Sequence, residues 1–169
     1  MRAGGSKAKG SSFEREVSVG LSKWISQGER EDLLWRSAMS GGRATVGRKK
    51  GTNLSSQAGD LSAVHSSGQP FLDKFYCELK SYKDLQYAGI LTGTGYLVKF
   101  WNSTVIEANN YKKHPMLIGK QNQKPTVIFL QVRGLRLLRL HIEQSILASC
   151  QRGMYGFLLE DFVKWAQPL

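Results

Sequence analysis

Apolar residues first recur at helical spacing at Phe13, Val17, Leu21, Trp24 and Ile25, which predicts an amphipathic helix over 12–27. Ser11 and Ser12 offer an N-cap, Glu14 stands three residues after Ser11, and Gly28 closes the segment. Leu33 to Ala38 reads as a short strand. Two strand-like runs follow, roughly 59–66 and 71–81. The turn chemistry of Ser66-Ser67-Gly68-Gln69-Pro70 lies between them, so a hairpin is expected. Residues 82–94 have no clear period. Leu97, Trp101, Val105 and Ala108 predict a second helix over about 94–111. Pro115 restarts the chain into Met116-Leu117-Ile118, and Thr126 to Val132 is the clearest buried strand. Leu135 to Leu140 alternates apolar and basic residues and reads as one more strand. Leu159 to Ala166 reads as a short helix. The order helix, three strands, helix, strands predicts an α/β fold: a sheet of mixed strand direction flanked by helices.

Two segments carry no period. Residues 1–10 are basic and Gly-rich and are expected to form a flexible arm, leaving 11–169 as one domain. Residues 39–58 are rich in Gly, Ser, Lys and Arg, and a loop of that length is either a floppy insertion or functional.

Charge changes the picture. The chain has 24 Lys and Arg against 13 Asp and Glu, a net +11 over 169 residues. There is no acid between Leu33 and Gly59, where Arg36, Arg43, Arg48, Lys49 and Lys50 fall. There is none between Ala108 and Ile142, where Lys112, Lys113, Lys120, Lys124, Arg133, Arg136 and Arg139 fall. Acid-free basic blocks of this kind suit a phosphate-rich partner, and nucleic acid is favoured over a membrane because no basic amphipathic helix has a bulky apolar face. On this reading 39–58 is an arm that embraces DNA, with Arg43, Arg48, Lys49 and Lys50 meeting phosphates. No apolar run approaches the ~20 residues of a membrane span, and the N-terminus lacks the apolar centre of a secretory signal. Cys77 and Cys150 have no CxxC or His/Cys cluster around them, so structural zinc is not expected and a reducing cytoplasm is.

The candidate chemistry lies in Asp60, Glu78 and Lys80. In a strand, Glu78 and Lys80 share one face while Cys77 and Leu79 take the other. A hairpin would bring Asp60 beside Glu78. Two carboxylates then supply oxygen ligands for a magnesium-type ion, with the Leu79 carbonyl as a further ligand. Such an ion neutralises a phosphodiester and activates water. Lys80 can orient or deprotonate that water, or stabilise the pentacovalent phosphate. Taken singly, Asp60 is a turn residue and Glu78 with Lys80 an exposed strand face. The combination in a +11 chain favours a nuclease site.

Gly59-Asp60 and Glu78-Leu79-Lys80 resemble the signature of the PD-(D/E)XK nuclease superfamily. Lys9-Gly10-Ser11-Ser12-Phe13-Glu14-Arg15-Glu16 and Trp35-Arg36-Ser37-Ala38 resemble the opening helix and the R-S-A strand of archaeal Holliday-junction resolvases. The likeness covers residues 9–84. It implies a restriction-endonuclease-like αβββαβ core, a homodimer, magnesium dependence with Mn²⁺ expected to substitute, and cleavage of branched DNA. It also implies that Glu14 is the helix-borne acid of the catalytic and metal-binding set, that Arg15 and Arg36 contact phosphates, and that Ser37 brings a hydroxyl to the site. Glu14 has a second reading, a capping-box acid reaching back to Ser11. The chain departs from the resemblance in its long 39–58 segment.

Three functions are carried forward. The first is a metal-dependent endonuclease of branched DNA, acting in the cytoplasm or at the nucleoid, or in a host's cytoplasm if phage-encoded. The second is a restriction-type, repair or phage nuclease of linear or flapped DNA. The third is a DNA-binding protein without catalysis.

Overall fold

The computed structural model describes residues 5–37 and 59–169, with side chains from residue 10 onward. Helix α1, Gly5–Ile25, begins upstream of Ser11 and takes in residues 5–10, which the charge pattern had assigned to an arm. Gly10 and Ser11 therefore lie inside a helix held by its C-terminal half. Phe13, Val17, Leu21 and Trp24 are buried along one stripe, and tertiary packing of that stripe outweighs the weak helix propensity of Gly and Ser upstream.

β1, Leu34–Arg36, pairs antiparallel with β2, Leu61–Ala63, in a two-stranded sheet, with Arg36 opposite Leu61. The expected hairpin between β2 and β3, Phe75–Tyr82, does not form. Ser66–Gly68 is a 3-10 turn and Gln69–Lys74 a short helix, α2, with Pro70 in its first turn. The fixed φ of proline starts a helix as readily as it makes a turn, and Phe71 and Leu72 anchor α2 in the core.

β3 belongs to a five-stranded sheet with β4 (His114–Gln121), β5 (Thr126–Leu130), β6 (Leu147–Ser149) and β7 (Met154–Leu158), in the order β3-β4-β5-β7-β6. β3 and β4 are parallel, with Glu78 opposite Leu117 and Lys80 opposite Gly119; the other pairs are antiparallel. The parallel connection runs through α3, Gly89–Thr92, and α4, Gly95–Asn110. This is the mixed α/β sheet flanked by helices that the element order predicts.

The run Leu135–Leu140 is not a strand. Val132–Leu137 is helix α5, and the buried residues are Leu135, Leu138 and Leu140 while Leu137 is exposed. Leu135 and Leu138 stand three apart and are both buried, a helical spacing that the apolar–basic alternation of the run hides. α6, Leu159–Trp165, closes the described fold.

Two cores lie on opposite faces of the large sheet. α1, α2, α5 and α6 cover one face, where Phe75, Cys77 and Leu79 point inward. α3 and α4 cover the other through Ile90, Leu97 and Trp101 against Leu117, Val127 and Phe129. No helix among the described residues is long and apolar enough to cross a membrane.

Candidate active site

β3 is the edge strand of the large sheet, with β4 on one side only. Asp60 occupies its open side. The Asp60 N–H donates to the Cys77 carbonyl at 2.8 Å, and the Asp60 carboxylate accepts the Leu79 N–H at 2.8 Å. Its own carbonyl accepts the Ser37 N–H at 2.7 Å, continuing the β1–β2 ladder by one step. One aspartate thus joins the two sheets through three backbone groups. Leu79 directs its N–H to Asp60, so its carbonyl, on the same side of an extended strand, faces the same open edge.

Gly59 makes this approach possible. Its φ is +92°, and a Cβ there would stand 2.6 Å from the Cys77 carbonyl oxygen. Only glycine meets both conditions without strain.

Glu78 and Lys80 project from the face of β3 opposite Cys77 and Leu79, as strand alternation predicts. Both are half-buried, and they form a close ion pair through Glu78 Oε1. Tyr76, on the same face, donates its hydroxyl to Glu78 Oε2 at 3.3 Å. The Lys80 Nζ lies over the Phe100 ring, 5.6 Å from its centre.

The electrostatics tie these groups together. Burial, then the charge of Glu78, pushes the Asp60 carboxyl up to about 7. The Leu79 N–H bond and Lys80 act against that rise, and Glu14 adds to it. Desolvation lowers Lys80, but Glu78 and then Asp60 outweigh it and hold the ammonium above its ordinary value. Burial pushes the Cys77 thiol up to about 12, which makes it an inert core residue.

α1 brings Glu14 within electrostatic reach of Asp60. Ser11 is interior to the helix and cannot serve as an N-cap, so the capping-box reading of Glu14 falls. The Ser11 hydroxyl instead accepts from Arg36 Nη1 at 2.8 Å. Arg36 is exposed. Arg15 is exposed too, its guanidinium 5.5 Å from the centre of the Trp35 ring. Ser37 is buried beside Asp60. Lys120 of the second basic block is tied to Glu16 at 2.8 Å, and Lys113 is buried. Arg43, Arg48, Lys49 and Lys50 lie outside the described residues.

Among the described residues no group of three or more His, Cys, Asp and Glu side chains is gathered tightly enough to hold a metal ion. The donor set nonetheless suits a hard cation. The charge of Glu78 opposes that of Asp60, the Leu79 carbonyl faces the same edge, and all three are oxygen donors. Sequence reasoning missed Tyr76 and Phe100. Tyr76 was legible as the residue two before Glu78 on the same strand face; Phe100 was not, because it comes from α4.

A mixed sheet whose edge strand carries E-x-K beside an aspartate held from a neighbouring strand has the restriction-endonuclease-like architecture. The chain belongs to the phage putative PDDEXK endonuclease family, whose sequence profile it matches over residues 5–148. No curated protein and no solved structure matches the chain. The family makes the chain a nuclease with the PD-(D/E)XK signature, a class that generally uses divalent metals.

Proposed function

We propose that this protein is a Mg²⁺-dependent endonuclease of DNA in which Glu14, Asp60, Glu78 and the Leu79 carbonyl hold the cation and Lys80 faces the attacked phosphate. The observation that carries the reading is the seat of Asp60. It is buried against the backbone of β3, and its charge is opposed by Glu78. A buried carboxylate beside another is unfavourable until positive charge arrives. A bound divalent cation supplies that charge, neutralises the scissile phosphate and acidifies a coordinated water. Tyr76 fixes the Glu78 carboxylate from one side. Lys80, paired with Glu78 on the same strand face, would stand to donate to the pentacovalent phosphate. Arg15, exposed midway along α1, and Arg36, exposed at the end of β1, position the DNA backbone. Arg43, Arg48, Lys49 and Lys50 extend the same basic surface on the sequence reading.

Purified protein is incubated with labelled DNA in Mg²⁺ or EDTA. Cleavage is expected only with Mg²⁺, and Asp60→Asn should lose it while still binding DNA. An Asp60→Asn variant that cuts at the wild-type rate sinks the proposal.

Branched DNA is the substrate suggested by the K-G-x-x-x-E-R-E opening and the R-S strand, whose Arg36 side chain meets Ser11 of that opening. This reading carries a homodimer, since paired cuts need two sites, and work on DNA in a cytoplasm. A four-way junction competed against a linear duplex of the same sequence tests it. Equal cutting of both favours the family's phage-type nuclease on linear or flapped DNA.

A further inference from the structure

Beyond Lys80, the site face of the molecule carries three aromatic rings. Tyr82 follows Lys80 by two residues on the same face of β3, and Tyr96 and Phe100 rise beside it from α4. The Tyr82 ring centre is 5.5 Å from that of Tyr96 and 5.1 Å from that of Phe100, and Tyr96 stacks over Phe100 at 6.2 Å. Phe100 is packed against the core of that sheet face. The two tyrosines are not buried: Tyr82 is 40% exposed and Tyr96 46%. Large rings grouped and partly exposed on a surface next to a charged site mark a place where another flat apolar group is received.

The surroundings say what kind of group. Lys83 and Lys99 are exposed and adjacent in sequence to Tyr82 and Phe100. The nearest acid in sequence, Asp84, is exposed and accepts the Gln86 N–H on Oδ1 at 2.8 Å. Tyr82 lies about 6.6 Å along the strand from Lys80, about two steps of a stacked nucleic-acid strand at ~3.4 Å each. A base within two nucleotides of a phosphate at Lys80 would reach these rings. Trp35, the other exposed aromatic near the site, already has the Arg15 guanidinium against its ring.

We propose that Tyr82, Tyr96 and Phe100 form a stacking platform for an unpaired nucleobase next to the scissile phosphate, so that the enzyme prefers DNA with a single-stranded flap or an unstacked base at the cut. A base inside a duplex already has both faces stacked, whereas a displaced base has a free face to offer the rings. Stacking is indifferent to base identity, so the platform selects structure rather than sequence. The proposal rests on the nuclease reading and specifies its substrate.

The test uses the full chain and two DNA substrates of the same sequence, one fully paired and one with a short single-stranded flap carrying 2-aminopurine. Fluorescence quenching is read in EDTA, where no cleavage occurs, and kcat/KM is read separately in Mg²⁺. Wild type and Tyr96→Phe are expected to quench the probe and to favour the flap. Tyr96→Leu, checked for an unchanged Tm, is expected to lose quenching and about tenfold of the flap preference, with kcat/KM falling more on the flap than on the duplex. The platform is overturned if Tyr96→Leu matches wild type on both substrates, or if it loses equally on both. A wild type that quenches but never cuts would keep the platform and sink the nuclease reading instead.

Discussion

The Asp60 carboxylate accepts the Leu79 amide at 2.8 Å and so takes the place of a strand partner on the open side of β3. An edge strand normally leaves its N–H groups to water or to another chain. Here the edge is closed by the side chain proposed to hold the cation, and closing it forces that side chain out of water. On that proposal stability and function compete at one carboxylate.

That competition has a pH signature. The folded Asp60 carboxyl sits near 7, above its unfolded value near ~4. The native state therefore holds the proton more tightly. This contribution to stability is fully present below pH ~4 and is lost as pH rises through about 7, with an upper bound of ~4 kcal/mol. In EDTA, wild type should lose stability between these limits, whereas Asp60→Asn should not, and the variant should be the more stable protein at pH 8. Mg²⁺ at pH 8 should raise the Tm of wild type and leave that of Asp60→Asn unmoved. Thermal unfolding of both proteins across this range checks the sign.

Gly59→Ala should act on fold and site together. The added Cβ would meet the Cys77 carbonyl at 2.6 Å on a backbone with φ of +92°. The expected cost is at least ~2 kcal/mol, or roughly 4–8 °C in Tm. Cleavage measured well below the lowered Tm should also fall, because Asp60 is displaced from β3. A variant with wild-type Tm would show that the approach of β2 to β3 is looser than described.

Lys80→Met removes the partner of Glu78 and the cation nearest the proposed phosphate. The expected loss is about 10²–10³-fold in kcat with little change in DNA affinity. Single-turnover cleavage beside a binding titration separates the two effects. A variant that weakens binding in proportion to its rate would make Lys80 a simple phosphate contact.

Arg15→Ala and Arg36→Ala should weaken binding to every DNA sequence alike. Each should lower the slope of log K against log salt by about 0.9, the share of one phosphate on duplex DNA. Arg36→Ala also frees the Ser11 hydroxyl, so its Tm is measured alongside. An unchanged salt slope would remove either residue from the DNA surface.

Much of the fold was legible because burial leaves a period. The stripe Phe13, Val17, Leu21, Trp24 marked α1, Leu97 and Trp101 marked α4, and the run Thr126–Val132 marked β5, which ends at Leu130 with Val132 already in α5. Reading failed where one local pattern serves two structures. Ser66–Pro70 suits a hairpin turn or a helix start, and the latter formed because it buries Phe71 and Leu72. Strand β6 is only three residues long, and the pairing of β6 with β7 and of β7 with β5 is visible only across the sheet.

The residue types of the candidate site and the shared face of Glu78 and Lys80 follow from sequence alone, because side chains of a strand must alternate. Folding decided what those side chains meet. Asp60 reached β3 without the hairpin, by bridging from a separate small sheet, and Phe100 and Tyr96 came to the site face from α4, a helix with no catalytic signature. Local pattern sets which way a side chain points, but its neighbours, burial and charge balance come from segments distant in the chain.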